Sequence, residues 1–153
     1  MQNMAFLNKK ETIDVLDKIR NTFGIKELDL NHNFMRNSED KIFIVSKHIS
    51  NFDIKNLRIN SLGMYFCKIE KNGIRLSVEG SQKVGNLASK NVVELDKSQI
   101  KEWLIGNPVP YGEKENGFVM VRHENDFFGT GLLKEGTLIN YFPKTRRLKV
   151  LNE

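Results

Sequence analysis

Gly117-Phe118-Val119-Met120-Val121-Arg122-His123, then Glu124-Asn125-Asp126, then Phe127-Phe128-Gly129-Thr130-Gly131-Leu132-Leu133 is the stretch that decides the fold. Two apolar runs rich in β-branched and aromatic residues flank three polar turn formers, which predicts a β-hairpin. It leads into Gly136-Thr137-Leu138-Ile139-Asn140-Tyr141-Phe142-Pro143-Lys144-Thr145-Arg146-Arg147, and no acidic residue stands between Thr137 and Asn152. Lys144, Arg146, Arg147 and Lys149 form a local cation cluster with Tyr141 and Phe142 just before it. Cations hold phosphates and aromatic faces accept unstacked bases, so the pairing suits single-stranded RNA. The plainer alternative puts Tyr141 and Phe142 in a core and the cations on a solvated terminal strand. Arg147 to Leu151 is expected to be that closing strand.

Gly129-Thr130-Gly131 looks superficially like a dinucleotide-binding loop. The third glycine position of that motif is Lys134, however, and no helical pattern follows. A bulge or a close backbone approach is the expected cause, and bare backbone there would let a phosphate or a base edge come near.

Working outward, Val92–Leu95 reads as a strand. Asp96 caps a helix with Gln99 as its box partner, Ile100, Trp103 and Leu104 as its buried stripe, and Gly106-Asn107-Pro108 as its stop. Upstream, Gly63–Glu70 and Ile74–Leu76 pair across Lys71-Asn72-Gly73, and Ser77 starts a short helix that Gly80 weakens. Asn8 and Glu11 form a capping box for a helix over 9–23, with Ile13, Leu16, Ile19 and Phe23 on one face and Gly24 as its stop. Glu27–Phe34 and Lys41–Ser46 read as strands joined by a loop over 33–40. Residues 85–91, rich in small and polar side chains, are the candidate boundary. The fold class is α+β: an N-terminal α/β domain (1–90) and a C-terminal domain (91–153) ending in a small, partly closed β-barrel.

With 153 residues, the chain can bury roughly 70% of its unfolded surface, enough for one full core or two small ones. A hydrophobic content of 39% excludes wholesale disorder. A single cysteine, Cys67, excludes an internal disulfide framework and fits a reducing compartment. No run approaches the ~18 apolar residues of a membrane helix, and Met1–Leu7 lacks the basic and apolar regions of a signal peptide, so a soluble cytoplasmic protein is expected. A net charge of +5 favours a polyanionic partner. The excess lies in the middle: residues 41–90 carry 9 Lys+Arg against 3 Asp+Glu, whereas residues 91–153 carry 9 of each.

The tail resembles the PUA domain at the C-terminus of RsmF-type rRNA cytosine-5 methyltransferases, whose final segment reads Gly-x-Leu-Lys-Asn-Tyr-Tyr-Pro-Lys-Gly-x-Arg. Gly136, Leu138, Asn140, Tyr141, Pro143, Lys144 and Arg147 match, and Phe142 replaces the second tyrosine. Ile139 departs where that family has lysine, removing a possible phosphate contact, and Thr145 departs where it has glycine, which alters a turn. The order of elements from Gly63 to Leu104 is similar to the stretch preceding that domain, so the resemblance extends over about 58–153. In layout, an α/β domain before a PUA domain, the chain is also similar to Nip-type factors and to stand-alone archaeal ribosome-biogenesis proteins. The resemblance implies binding to rRNA or tRNA, with an RNA methyltransferase or a pre-ribosomal particle as a possible further partner.

Candidate chemistry is sparse. Cytosine-5 methylation needs a Rossmann-like cofactor domain and a nucleophilic cysteine. The predicted elements leave no room for the first, and Cys67 lies inside an apolar strand as a buried, inert thiol. His32, His48 and His123 lack metal-ligand spacing, and no carboxylate pair is singled out for acid–base work. The expectation is a non-enzymatic RNA-binding protein without cofactor or metal. Its site would comprise Gly129, Thr130, Gly131, Tyr141, Lys144, Arg146, Arg147 and Lys149. An adaptor recruiting a modification enzyme through protein contacts is the alternative.

Overall fold

The computed structural model describes residues 4–47, 63–112 and 115–149. The first helix, α1 (Lys9–Phe23), begins at the expected capping box: Asn8 Oδ1 accepts from Glu11 N at 2.8 Å and Glu11 Oε1 accepts from Asn8 N at 3.0 Å. Its end is a left-handed Gly24 (φ 62°), whose N–H donates to Arg20 O. The buried face is Val15, Ile19 and Phe23, whereas Ile13 is 46% exposed. The expected stripe was therefore rotated by one position: Val15, spaced four and eight residues from Ile19 and Phe23, is its first member.

Around α1 lies an antiparallel sheet in the order β1 (Met4–Phe6), β2 (Asn33–Asn37), β3 (Lys41–Val45), β4 (Gly63–Glu70), β5 (Gly73–Leu76). The expected strand over 27–34 is not formed. Arg20 Nε donates to Lys26 O at 3.1 Å and His32 N to Leu30 O at 2.7 Å, so the backbone turns locally before it enters a sheet. Leu28 and Leu30 still pack on the core from this irregular segment. Residues 33–37, expected as loop, are β2, and the turn is confined to Ser38–Asp40. The 58–62 start of the resemblance lies outside the described residues, as does His48.

Helix α2 (Val78–Val84) starts where Ser77 Oγ accepts from Gly80 N at 2.9 Å and donates to Tyr65 O at 2.6 Å. Gly80, a poor helix former, is required by packing: a Cβ there would stand 2.2 Å from the backbone oxygen of Phe66 in β4. Helix α3 (Lys97–Ile105) carries the second capping box, Asp96 with Gln99, and ends at Gly106 (φ 104°).

The second sheet runs β6 (Val92–Glu94), β8 (Gly117–His123), β9 (Asp126–Lys134), β10 (Thr137–Ile139), β7 (Val109–Pro110), with β6 parallel to β8 and the other pairs antiparallel. The hairpin β8–β9 turns at Glu124-Asn125, as its sequence predicts. Trp103 of α3 is fully buried against it and donates Nε1–H to Phe128 O at 2.9 Å. The architecture is α+β.

The two sheets share buried side chains. Met120 and Phe127 belong to the cluster built on Ile19, Phe23, Phe34 and Phe66, while Val78 belongs to the one built on Trp103, Leu95 and Leu138. Two buried hydrogen bonds join them: Leu76 N to Thr130 Oγ1 at 3.1 Å and Gly129 N to Ser81 Oγ at 2.9 Å.

The expected closing strand over 147–151 is absent within the described residues. Lys144–Arg146 form a single 3-10 turn after Pro143, and Arg147–Lys149 pair with no strand. The reason lies in Arg147 and Leu148. Arg147 Nε donates to Phe142 O at 3.0 Å, folding the chain back on itself, and Leu148 N donates to Leu104 O at 2.8 Å at the end of α3. Val150 and Leu151 lie outside the described residues. Among the described residues no helix is long and apolar enough to cross a membrane.

Candidate nucleic-acid interface

Asn140 anchors the tail. Its Nδ2 donates to Trp103 O at 2.9 Å and to Asn107 O at 2.8 Å, while its Oδ1 accepts from Phe142 N at 2.7 Å. These three bonds set the two aromatic residues that follow on different sides of the chain. Phe142 is buried beside Trp103, with ring centroids 6.5 Å apart at 58°, an edge-type contact. Tyr141 is half-buried and turns the other way, toward Arg75 and Phe118. The two readings of this pair each apply to one member: Phe142 is core and Tyr141 reaches the surface.

The cation cluster is divided in space. Arg146 pairs with Glu79 of α2, so a carboxylate from another part of the chain enters a segment that has none of its own. Arg147 folds over Gly106, where an added Cβ would stand 2.5 Å from its Cδ. Lys144 and Lys149 are exposed.

Gly129, Thr130 and Gly131 are buried. The Gly129 N–H and the Thr130 hydroxyl make the two inter-sheet bonds described above, and a Cβ at Gly131 would stand 2.7 Å from Leu138 Cδ1 and 3.0 Å from Trp103 Cη2. The glycines admit neighbouring protein atoms, and the bare backbone expected to meet a phosphate is covered. Gly129 (φ 92°) and Thr130 line only a small cleft of about 50 Å³ beneath Tyr65, Arg75 and Tyr141.

The structure adds groups that the sequence did not single out. The Arg75 guanidinium carbon lies 4.2 Å from the Tyr141 ring centroid, a close cation–π contact, and Arg75 Nη2 is held 3.2 Å from Glu70 Oε1. Phe118 lies 6.4 Å from Tyr141 at 39°. On the N-terminal sheet, Phe43 and Tyr65 are 5.6 Å apart, with Lys41 Nζ 5.6 Å from the Tyr65 centroid. Burial pushes the Tyr65 hydroxyl up to about 12, an effect that Arg75 opposes and Cys67 and Glu70 reinforce. Half-buried aromatic rings and cations thus alternate from Lys41 to Phe118 across both sheets. Strand alternation makes Arg75 an outward residue between buried Ile74 and Leu76, which is the signal that could have found it.

Cys67 is buried in β4, and burial raises its thiol far above the ordinary range. His123 Nδ1 lies 2.8 Å from Leu95 O, so that nitrogen carries the proton and the ring serves the fold. His32 Nδ1 is buried without a hydrogen-bond partner among the described residues.

Residues 90–148 match the family described as the methyltransferase RsmF PUA domain. That stretch is a PUA region resembling RsmF. The chain is 29% identical over 89 residues to ribosomal RNA small subunit methyltransferase F of Vibrio cholerae serotype O1 (strain M66-2), covering 58% of this chain and 19% of that protein. It is 29% identical over 139 residues to the protein of the same name from Aeromonas salmonicida (strain A449), covering 90% of this chain and 28% of the relative. The chain therefore spans under a third of the length of these curated relatives. The PUA match and these relatives indicate RNA binding related to rRNA methylation.

Proposed function

We propose that this protein is a non-catalytic RNA-binding protein of rRNA or tRNA maturation or ribosome biogenesis. In this reading an N-terminal α/β unit (1–90) precedes a PUA-like barrel (91–153), and the protein works in the cytoplasm. The observation that carries the reading is the match of residues 90–148 to the RsmF PUA domain. The mixture of half-buried aromatic rings and cations on the surface supports it chemically, since such surfaces hold unpaired nucleotides through stacking and phosphate contacts. Lys144 and Lys149, exposed at the tail, would add phosphate contacts, with Arg146 and Arg147 beside them. The absence of catalysis is proposed on the thiol: buried in β4 and held protonated, Cys67 is poorly placed to attack a base.

The test is fluorescence anisotropy with small-subunit rRNA fragments over a salt series, run beside a methylation assay with S-adenosylmethionine. Binding should weaken steeply with salt, because each phosphate contact releases condensed counterions, and no methyl group should be transferred. Failure to bind RNA at low salt would overturn the reading and favour an adaptor that works through protein contacts. Methyl transfer would overturn the non-catalytic part.

A further inference from the structure

We propose that the cleft beside Phe118 and Tyr141 is a pocket for one unstacked base of single-stranded RNA, with Lys71 and Lys134 at its rim taking the adjoining phosphates. The proposal rests on the RNA-binding reading and specifies its ligand and its site. The cleft has a volume of about 480 Å³, within the range of small-ligand sites, and both aromatic rings line it above a floor formed by Leu132 and Leu133. Its walls are set before any ligand arrives. Phe118 rests against the β4–β5 turn, where an added Cβ on Gly73 would stand 2.8 Å from Phe118 Cδ2. Tyr141 is held from one side by Arg75, itself clamped by Glu70, and from behind by the Asn140 bonds. Rings fixed in this way lose little entropy when a base stacks on them.

The charge pattern selects an anionic chain. Lys71 and Lys134 are exposed and neither has an ion-pair partner among the described residues, whereas Glu70, an acid lining the cleft, is engaged by Arg75 at 3.2 Å and Lys68 at 3.9 Å. Asn116 Oδ1 accepts from Glu135 N at 3.0 Å, leaving its NH2 end to meet an acceptor on a base edge. Aromatic faces, an amide and lysines in one cleft match the parts of an unpaired nucleotide. A duplex keeps its bases stacked and cannot offer one to the cleft. The site is also composite: Lys71 and Arg75 come from the β4–β5 hairpin, outside the 90–148 match, and Phe118, Lys134 and Tyr141 from within it.

The experiment compares the full chain with Phe118→Leu, Tyr141→Leu and Lys71→Gln/Lys134→Gln, titrating a short single-stranded oligoribonucleotide and a duplex of the same sequence. Leucine keeps an apolar side chain in place and removes the stacking face, and circular dichroism checks that each variant folds. Wild type should prefer the single strand. Each aromatic replacement should weaken that binding roughly 5- to 150-fold, with little change for the duplex. The lysine pair should lower the log–log salt slope by about 2. Equal binding of both RNAs by wild type, or aromatic variants that fold and bind the single strand as wild type does, would overturn this proposal and leave the RNA-binding reading standing. Failure of wild type to bind either RNA would remove both. If one aromatic variant does not fold, the other variant and the salt slope decide the matter.

Discussion

The joint between the two sheets is held by a hydroxyl, and Thr130→Val removes it with almost no change in shape. Thr130 is 2% exposed, and its Oγ1 is the acceptor for Leu76 N at 3.1 Å. Valine fills the same space and leaves that N–H buried without an acceptor, a loss of about 1–3 kcal/mol. For a chain of this size the midpoint temperature falls by roughly 2–4 °C per kcal/mol, so Tm should drop by roughly 2–12 °C. Thr130→Ser keeps the oxygen and should recover most of the loss. Thr145→Val, on the exposed 3-10 turn, should stay within about 0.5 kcal/mol of wild type. Ser81→Ala removes the neighbouring bond to Gly129 N, and combining it with Thr130→Val should give non-additive losses, because both act on one short segment. Urea denaturation followed by tryptophan fluorescence and by far-UV circular dichroism reports on Trp103 and on the whole chain respectively. A Thr130→Val protein as stable as wild type would refute the view that this hydroxyl joins the sheets.

Three further outcomes follow from the same structure. Gly80→Ala improves helix propensity by about 1 kcal/mol, but it drives a Cβ to 2.2 Å from Phe66 O, a backbone atom that no rotamer change can move; net destabilisation by about 1–3 kcal/mol is expected in urea, and a gain in stability would contradict the packing. Asn140→Asp keeps the acceptor for Phe142 N but loses both donors and sets a carboxylate against the Trp103 and Asn107 carbonyls, so it should cost about 1–3 kcal/mol in the same assay, and a neutral effect would show that the tail is held otherwise. Tyr65 should ionise near 12, above its ordinary 10.0, as a late component in the tyrosinate absorbance that Tyr65→Phe removes; because the folded state keeps this proton, its contribution to stability is complete below pH 10 and is lost as pH rises from about 10 toward 12.

Both capping boxes, the glycine stops after α1 and α3, and the β8–β9 hairpin were legible from the sequence alone, because each is decided by partners three or four residues apart or by alternation within one run. The β4–β5 hairpin and the Ser77 start of α2 were legible for the same reason. Ile13 and the 27–34 segment were misread where local pattern competes with packing. An apolar residue on α1 faces solvent once Val15 fills the inner row, and Leu28 and Leu30 reach the core without entering a sheet. Tertiary structure alone decided the fate of the tail. Arg146 meets Glu79 and Tyr141 meets Arg75, while Gly129-Thr130-Gly131 closes on Ser81, Leu76, Leu138 and Trp103. A side chain's neutralising or stacking partner depends on which distant element passes beside it, and local sequence carries no record of that distance. The residue types needed to hold a nucleotide were therefore visible one by one, but their assembly into a cleft required both sheets to fold together.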